Sequence, residues 1–276
     1  MHLLLLMVAA FAAGFINSVA GGGTLLTFPS LLAAHVTPVA ANATSTVALV
    51  PGSFASFWGY RRSVGGSDRT DTLWFAVPSF FGGAIGALLV VKSGDRVFSR
   101  LVPWLLFGAV GLFIAQEPLR RWSTRRSRAP RPTPPPLRQR FAVATVQFFI
   151  AVYGGFFGAG IGILMLATMG FMGQSDIHQM NRLKNISAVA INGVAGITFA
   201  LSGQVRWSLA LIMMASAVAG GYLSAGVAQK VGPIWARRAI VVIGLAIGVY
   251  TLLRPLATKA EPAVENGGHP GDTAPP

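Results

Sequence analysis

Gly14, Phe15, Ile16, Asn17, Ser18, Val19, Ala20, Gly21, Gly22, Gly23, Thr24, running on to Pro29, is the stretch that decides the fold. Three consecutive glycines inside an apolar run predict an interrupted helix, because glycine weakens a helix interior and leaves backbone open to other contacts. A related stretch returns in the second half as Gly154, Gly155, Phe156, Phe157, Gly158, Ala159, Gly160, Ile161 and Gly162. Both lie in uncharged runs longer than the roughly 20 residues that carry a helix across a bilayer core of about 30 Å.

Working outward, the uncharged runs fall near 2–34, 40–60, 73–91, 101–116, 141–172, 185–202, 207–229 and 235–253. Hydrophobic residues make up 53% of the 276 and charged residues only 11%, a balance foreign to a water-soluble globule of this size. The expected fold is therefore an all-α polytopic membrane protein of about eight hydrophobic segments. Segments 1 and 5 are either broken helices or re-entrant hairpins at their glycine clusters. The start, Met1 to Ala20, has no Lys or Arg before its apolar run, and that run continues to Ala34, so it reads as a retained segment rather than a cleaved signal.

The net charge of +14 sits in short runs between apolar segments, the distribution of a topology signal rather than of a nucleic-acid surface. Arg120, Arg121, Arg125, Arg126, Arg128, Arg131, Arg138 and Arg140 alternate with Pro130, Pro132, Pro134, Pro135 and Pro136. Such a stretch predicts an exposed, partly extended linker on the cytoplasmic side. The expected organisation is a first transmembrane repeat at 1–116, the linker at 117–140, a second repeat at 141–254 and a disordered tail at 255–276.

Four matches in the same order predict two four-segment repeats. Gly14, Phe15 and Ile16 answer to Gly155, Phe156 and Phe157; His35 to His178; Asn42 to Asn181; and Gly82, Gly83 and Gly86 to Gly220, Gly221 and Ser224. Full crossings by segments 1 and 5 make the repeats parallel, whereas hairpins make them inverted, and charge counting leaves both open.

Enzyme templates fail. Neither glycine cluster is followed by the Lys-Ser or Lys-Thr of a phosphate loop, and Gly158, Gly160 and Gly162 lack a dinucleotide fold's context. The four histidines have no metal-ligand spacing, and there is no cysteine, hence no disulfide or thiolate chemistry. The acids all fall in links or the tail, so neither an enzyme nor a carboxylate-based cation pump is expected, and no cofactor or metal.

What remains inside the apolar runs is small polar groups and unwound backbone. Asn17, Ser18, Gly21, Gly22, Gly23 and Thr24 surround the first break; Asn42, Thr44, Ser45 and Thr46 open the second segment; Gly158, Gly160 and Gly162 form the second break; Asn181, Arg182, Lys184, Asn185 and Ser187 open the sixth. Free backbone N–H groups and helix N-termini favour anions, and Arg182 or Lys184 supplies formal charge. His35 and His178 are the candidates for carrying a coupled proton. The plainer readings are packing for single Ser and Thr residues, snorkelling for Arg182 and Lys184, a satisfied loop histidine for His35 and His178, and interfacial anchoring for Trp58, Tyr60, Trp74 and Trp104. Asn42-Ala43-Thr44 and Asn185-Ile186-Ser187 match the glycosylation sequon but fall in or beside spans.

With these residues in view, the chain resembles the TauE/SafE family of sulfite exporters. The resemblance rests on Gly14 to Pro29, on Ala41, Asn42, Ala43 and Thr44, on Gly155 to Gly162, on Lys184 to Asn192, and on Gly203, Gln204, Val205, Arg206 and Trp207. It implies transport of a small inorganic or organosulfur anion such as sulfite, sulfoacetate or thiosulfate across the bacterial inner membrane, without ATP. The expected function is a secondary transporter working by alternating access, with the two glycine breaks facing each other near mid-membrane and a proton as coupling ion. Its expected partners are the anion and the lipid bilayer; self-association into a homo-oligomer is compatible with this, and nucleic acid is not a partner. The competing class is a non-transporting membrane scaffold or accessory subunit.

Overall fold

The computed structural model describes residues 2–19, 22–61, 69–126, 136–171, 177–227 and 233–253. Among them every regular element is helical: α1 His2–Val19, α2 Thr24–Ala33, α3 Pro38–Arg61, α4 Arg69–Arg126, α5 Leu137–Phe156, α6 Ile161–Phe171, α7 Ile177–Leu201, α8 Trp207–Val227 and α9 Pro233–Leu253. The long α4 is two helices that meet at Gly94, whose φ of 66° and ψ of 168° fit no helix. Asp95, placed in a link by sequence, stands at that break and accepts the Val39 N–H at 2.8 Å, satisfying one orphan donor at the start of α3.

The first apolar run is divided between α1 and α2, and the fifth between α5 and α6. At 10 and 11 residues, α2 and α6 are each about 15 Å long, half a bilayer core. Thr72–Ala115 and Gln179–Leu201 are long and apolar enough to cross a membrane. Around the outside Leu4, Trp104, Phe149, Leu201 and Tyr222 are exposed, Leu201 and Tyr222 by 84%. In water such a surface would drive association; lipid tails are as apolar as the side chains, so there it costs little.

The flanks of the Arg/Pro stretch are helical. Arg120, Arg121, Arg125 and Arg126 belong to α4 and Arg138 and Arg140 to α5, rather than to an extended linker. Between Pro118 and Pro130 no proline interrupts, and arginine is a good helix former. The stretch 127–135 and the tail 255–276 lie outside the described residues.

Two close seams hold the helices together. On α1 and α8, a β-carbon at Gly14 would overlap the Ala217 carbonyl and one at Gly220 would overlap that of Phe11. On α4 and α5, one at Gly155 would overlap the Gly83 carbonyl and one at Gly86 that of Val152. Only glycine lets two backbones approach so closely, and in lipid that packing replaces the missing hydrophobic drive. Both seams use positions three apart on each helix. In contact register Gly83 answers to Ala217 and Gly86 to Gly220, one turn away from the match of Gly82 with Gly220 read from sequence. A hydrogen-bonded relay reinforces the second seam: Gln147 Nε2 donates to Ser79 Oγ at 2.9 Å, and Ser79 Oγ donates to the Phe75 carbonyl at 2.7 Å.

Candidate functional site

Each glycine break is shaped by its own neighbours. In the first, Gly22 has φ 105°, a value that penalises any side chain, and Asn17 Oδ1 accepts its N–H at 3.2 Å. The chain has turned back by Gly23, where an added β-carbon would lie 2.7 Å from the Ala13 carbonyl oxygen. Gly23, the N-cap of α2, makes no side-chain cap. In the second, Phe157 and Gly158 donate their N–H groups to the Tyr153 carbonyl at 2.9 and 3.3 Å. The Tyr153 hydroxyl donates to the Ala159 carbonyl at 2.8 Å, so one residue stitches both sides of the turn.

The two breaks meet. Phe28 of α2 packs edge-on against Phe157 with ring centroids 5.4 Å apart, and Phe98 of α4 lies beside Phe28 and Phe156 at 6.3 and 5.5 Å. A β-carbon at Gly158 would stand 3.8 Å from Thr24 Oγ1. Phe113, fully buried in the second half of α4, fills the space against both Gly22 and Gly160. From α3, Asn42 Nδ2 donates to the Phe156 carbonyl at 3.0 Å, tying that helix to the last residue of α5.

Between the breaks lies a cavity of about 50 Å³. Asn17, Gly22 and Thr24 line it from the first break, and Gly158, Ile161 and Gly162 from the second. Thr46, Leu49 and Ser53 of α3 and Lys184, Asn185, Ala188 and Asn192 of α7 close it. Thr24 and Ile161 are the first residues of α2 and α6, so both short helices begin at the cavity wall, where N-terminal amides and the helix dipole attract negative charge.

Lys184 is the one charged side chain among the described lining residues, and it is 8% exposed. The structure gives it no carboxylate and no hydrogen-bond partner among the described residues. A buried cation is costly unless it is paired, and a negative charge entering the cavity would offset that cost. Beside it Asn185 is 7% exposed and its Nδ2 is buried with no partner. Asn192 Nδ2 donates to Ser53 Oγ at 3.0 Å and so braces α7 against α3 across the wall. Among the described lining residues the arrangement is a set of neutral polar groups and apolar side chains around one cation.

Sequence-expected residues divide as follows. Asn17, Gly22, Thr24, Gly158, Gly162 and Lys184 come together on the cavity. Gly23 and Gly160 shape the turns behind it, and the Gly22 N–H is already taken by Asn17. Asn42 is fully buried and spent on Phe156, while Thr44 Oγ1 accepts the Arg206 backbone N–H at 3.0 Å, so both brace helices. Asn181 and Arg182 are half-buried on α7 and do not line the cavity. His35 occupies the exposed turn after α2 with φ 61°. Gly21 and the side chains of Ser18 and His178 lie outside the described residues. Ser53, Leu49 and Ala188 were not expected, and Ile161 and Asn192 stood in quoted motifs without a site role of their own. Of these, Asn192 alone carries a visible signal, an amide within an apolar helix.

A family model described as sulfite exporter TauE/SafE matches residues 6–251, so the chain belongs to the TauE/SafE family. A "Probable membrane transporter protein" of Haemophilus influenzae is 29% identical over 251 residues, 87% of this chain and 91% of that protein. "Probable membrane transporter protein ORF9" of a Sinorhizobium species is 29% identical, covering 92% of this chain and 94% of its own length. "Probable membrane transporter protein YfcA" of Escherichia coli is 28% identical, covering 90% and 88%.

Proposed function

We propose that this member of the TauE/SafE family is a secondary transporter that carries a small sulfur-containing oxyanion across the bacterial inner membrane by alternating access. The observation that carries this reading is Lys184, a buried cation without a partner among the described residues, on a cavity walled by two glycine breaks. Sulfite is the leading substrate, with thiosulfate and sulfoacetate behind it. The short α2 and α6, each half a bilayer long, support re-entrant hairpins that enter from the two halves of an inverted repeat. Matching seams between α1 and α8 and between α4 and α5 support the same plan.

In this reading the anion enters between the breaks and is met by Lys184, by the Asn17 and Asn185 amides and by the first turns of α2 and α6. The halves then rock about the glycine seams, which are bistable because packed backbones have few intermediate arrangements. A proton accompanies the anion.

The test is efflux from cells lacking the protein and from cells carrying the wild type or Lys184→Met, loaded with sulfite, thiosulfate or sulfoacetate. Wild-type cells should clear at least one of the three and Lys184→Met cells should match the deletion. Equal clearance by wild type and deletion for every anion would favour an accessory subunit instead.

A further inference from the structure

The geometry points to a substrate that is a compact monoanion, held between Lys184 Nζ and the Asn185 amide, so that the proton crosses on the anion itself. This deepens the transporter reading and rests on it.

Charge sets the valence. One cation faces the cavity among the described residues, and the other described wall groups are amides, hydroxyls, backbone and apolar side chains. A monoanion leaves the loaded chamber neutral, whereas a dianion would leave a surplus negative charge in a buried site. The amides also present carbonyl oxygens. Asn192 has committed an N–H to Ser53, and an acceptor oxygen remains on that residue to meet a proton on the anion but to repel a fully ionised oxygen.

Volume sets the size. A cavity needs about 10–15 Å³ to hold a single water, so about 50 Å³ has room for a few groups of water size. That suits a pyramidal or planar oxyanion of four or five atoms better than a two-carbon sulfonate such as sulfoacetate. Among sulfur anions the choice falls on hydrogensulfite over the sulfite dianion.

Asn185 supplies the specific contact. Its Nδ2 is buried and unpartnered, and it lines the same wall as Lys184. An orphaned donor at that depth is satisfied by an oxygen of the bound anion. Because the proton rides on the substrate, no carboxylate or histidine in the wall is required to carry it. Each turnover then moves one negative charge, and a membrane potential negative inside drives export.

The experiment uses the full chain in proteoliposomes with equal pH on both sides and a potassium diffusion potential. A tenfold sulfite gradient should be balanced by about 59 mV, the value for one charge. Chlorate and nitrate should inhibit labelled sulfite flux at least tenfold more strongly than sulfate or thiosulfate, and sulfoacetate should not inhibit. Asn185→Ala should reduce flux at least tenfold with unfolding temperature in detergent unchanged, and Asn185→Asp should abolish it by neutralising Lys184. Balance at half that voltage, or stronger inhibition by sulfate, with flux still dependent on Lys184, would overturn the monoanion while leaving the transporter standing. Voltage-independent sulfite flux would also overturn it. Absence of flux for every anion with the wild type would remove both proposals.

Discussion

Asn42 Nδ2 lies 3.0 Å from the carbonyl oxygen of Phe156, so the start of α3 is pinned to the point where α5 ends and the second glycine break begins. Phe156 is the last residue of its helix, and its carbonyl has no regular helical partner there. Asn42 Oδ1 is buried without a partner, so the side chain is held by its donor alone. Asn42→Ala should cost about 1–3 kcal/mol, the penalty of leaving a buried acceptor unsatisfied. Asn42→Asp should cost more, because carboxylate oxygens would face the carbonyl. Thermal unfolding in detergent orders the variants, and Asn42→Asp more stable than Asn42→Ala would refute the donor role.

Lys184→Met should make the anion-free protein more stable while destroying anion binding. Replacing buried ionic groups by apolar ones of similar volume commonly gains about 1–4 kcal/mol. For the wild type, sulfite at a hundred times its Kd should add about 2.7 kcal/mol, and for Lys184→Met it should add nothing. Unfolding curves with and without sulfite measure both effects. A variant that is less stable without anion and still stabilised by it would contradict the assignment.

Gly22→Ala should damage the first break in two separable ways. The φ of 105° costs an L-residue on the order of 1–2 kcal/mol, and the new methyl collides with the buried ring of Phe113. Combined with Phe113→Leu, the loss should be smaller than the sum of the two single losses, because the collision is relieved and the backbone strain is not. Strict additivity in a double-mutant cycle would show that the ring is not the obstacle.

Gly14→Val and Gly155→Val should each force a seam apart, since the new β-carbon would overlap a backbone carbonyl that has no rotamer to escape into. Losses above roughly 3 kcal/mol are expected, the upper range for overpacking. Gly108→Ala and Gly111→Ala meet nothing within 4 Å and should gain up to about 1 kcal/mol through helix propensity. Yields of folded protein after detergent extraction, compared across the four variants, distinguish seam glycines from merely helical ones.

Much of the helical plan was legible because membrane spans declare themselves by length and charge. The interruption between Val19 and Thr24 was legible because glycine is a poor helix interior, and Lys184 because a charge in an apolar run is conspicuous. The roles of Asn42 and Thr44 were not. They carry the same chemistry as Thr24 and Asn185, and what separates the pairs is which neighbour each meets, Phe156 and Arg206 for one and the cavity for the other. Ser53 and Asn192 were hidden for a similar reason, since they are 139 positions apart and become a pair only when α3 lies along α7. The Arg/Pro stretch reads as one linker because its arginines and prolines are mixed, yet its flank from Leu119 to Arg126 carries no proline and continues α4.

By itself the sequence determined a helical membrane chain, its interruptions and the kind of charge available inside it, all properties of local composition against a bilayer's length and polarity. Tertiary structure alone decided which side chains fill the meeting of the two interruptions, Phe28, Phe157 and Phe113, and left Lys184 and the Asn185 amide of α7 without a partner among the described residues. The physical reason is that a polar group's role depends on whether another group reaches it, and helix packing, not spacing along the chain, settles who reaches whom.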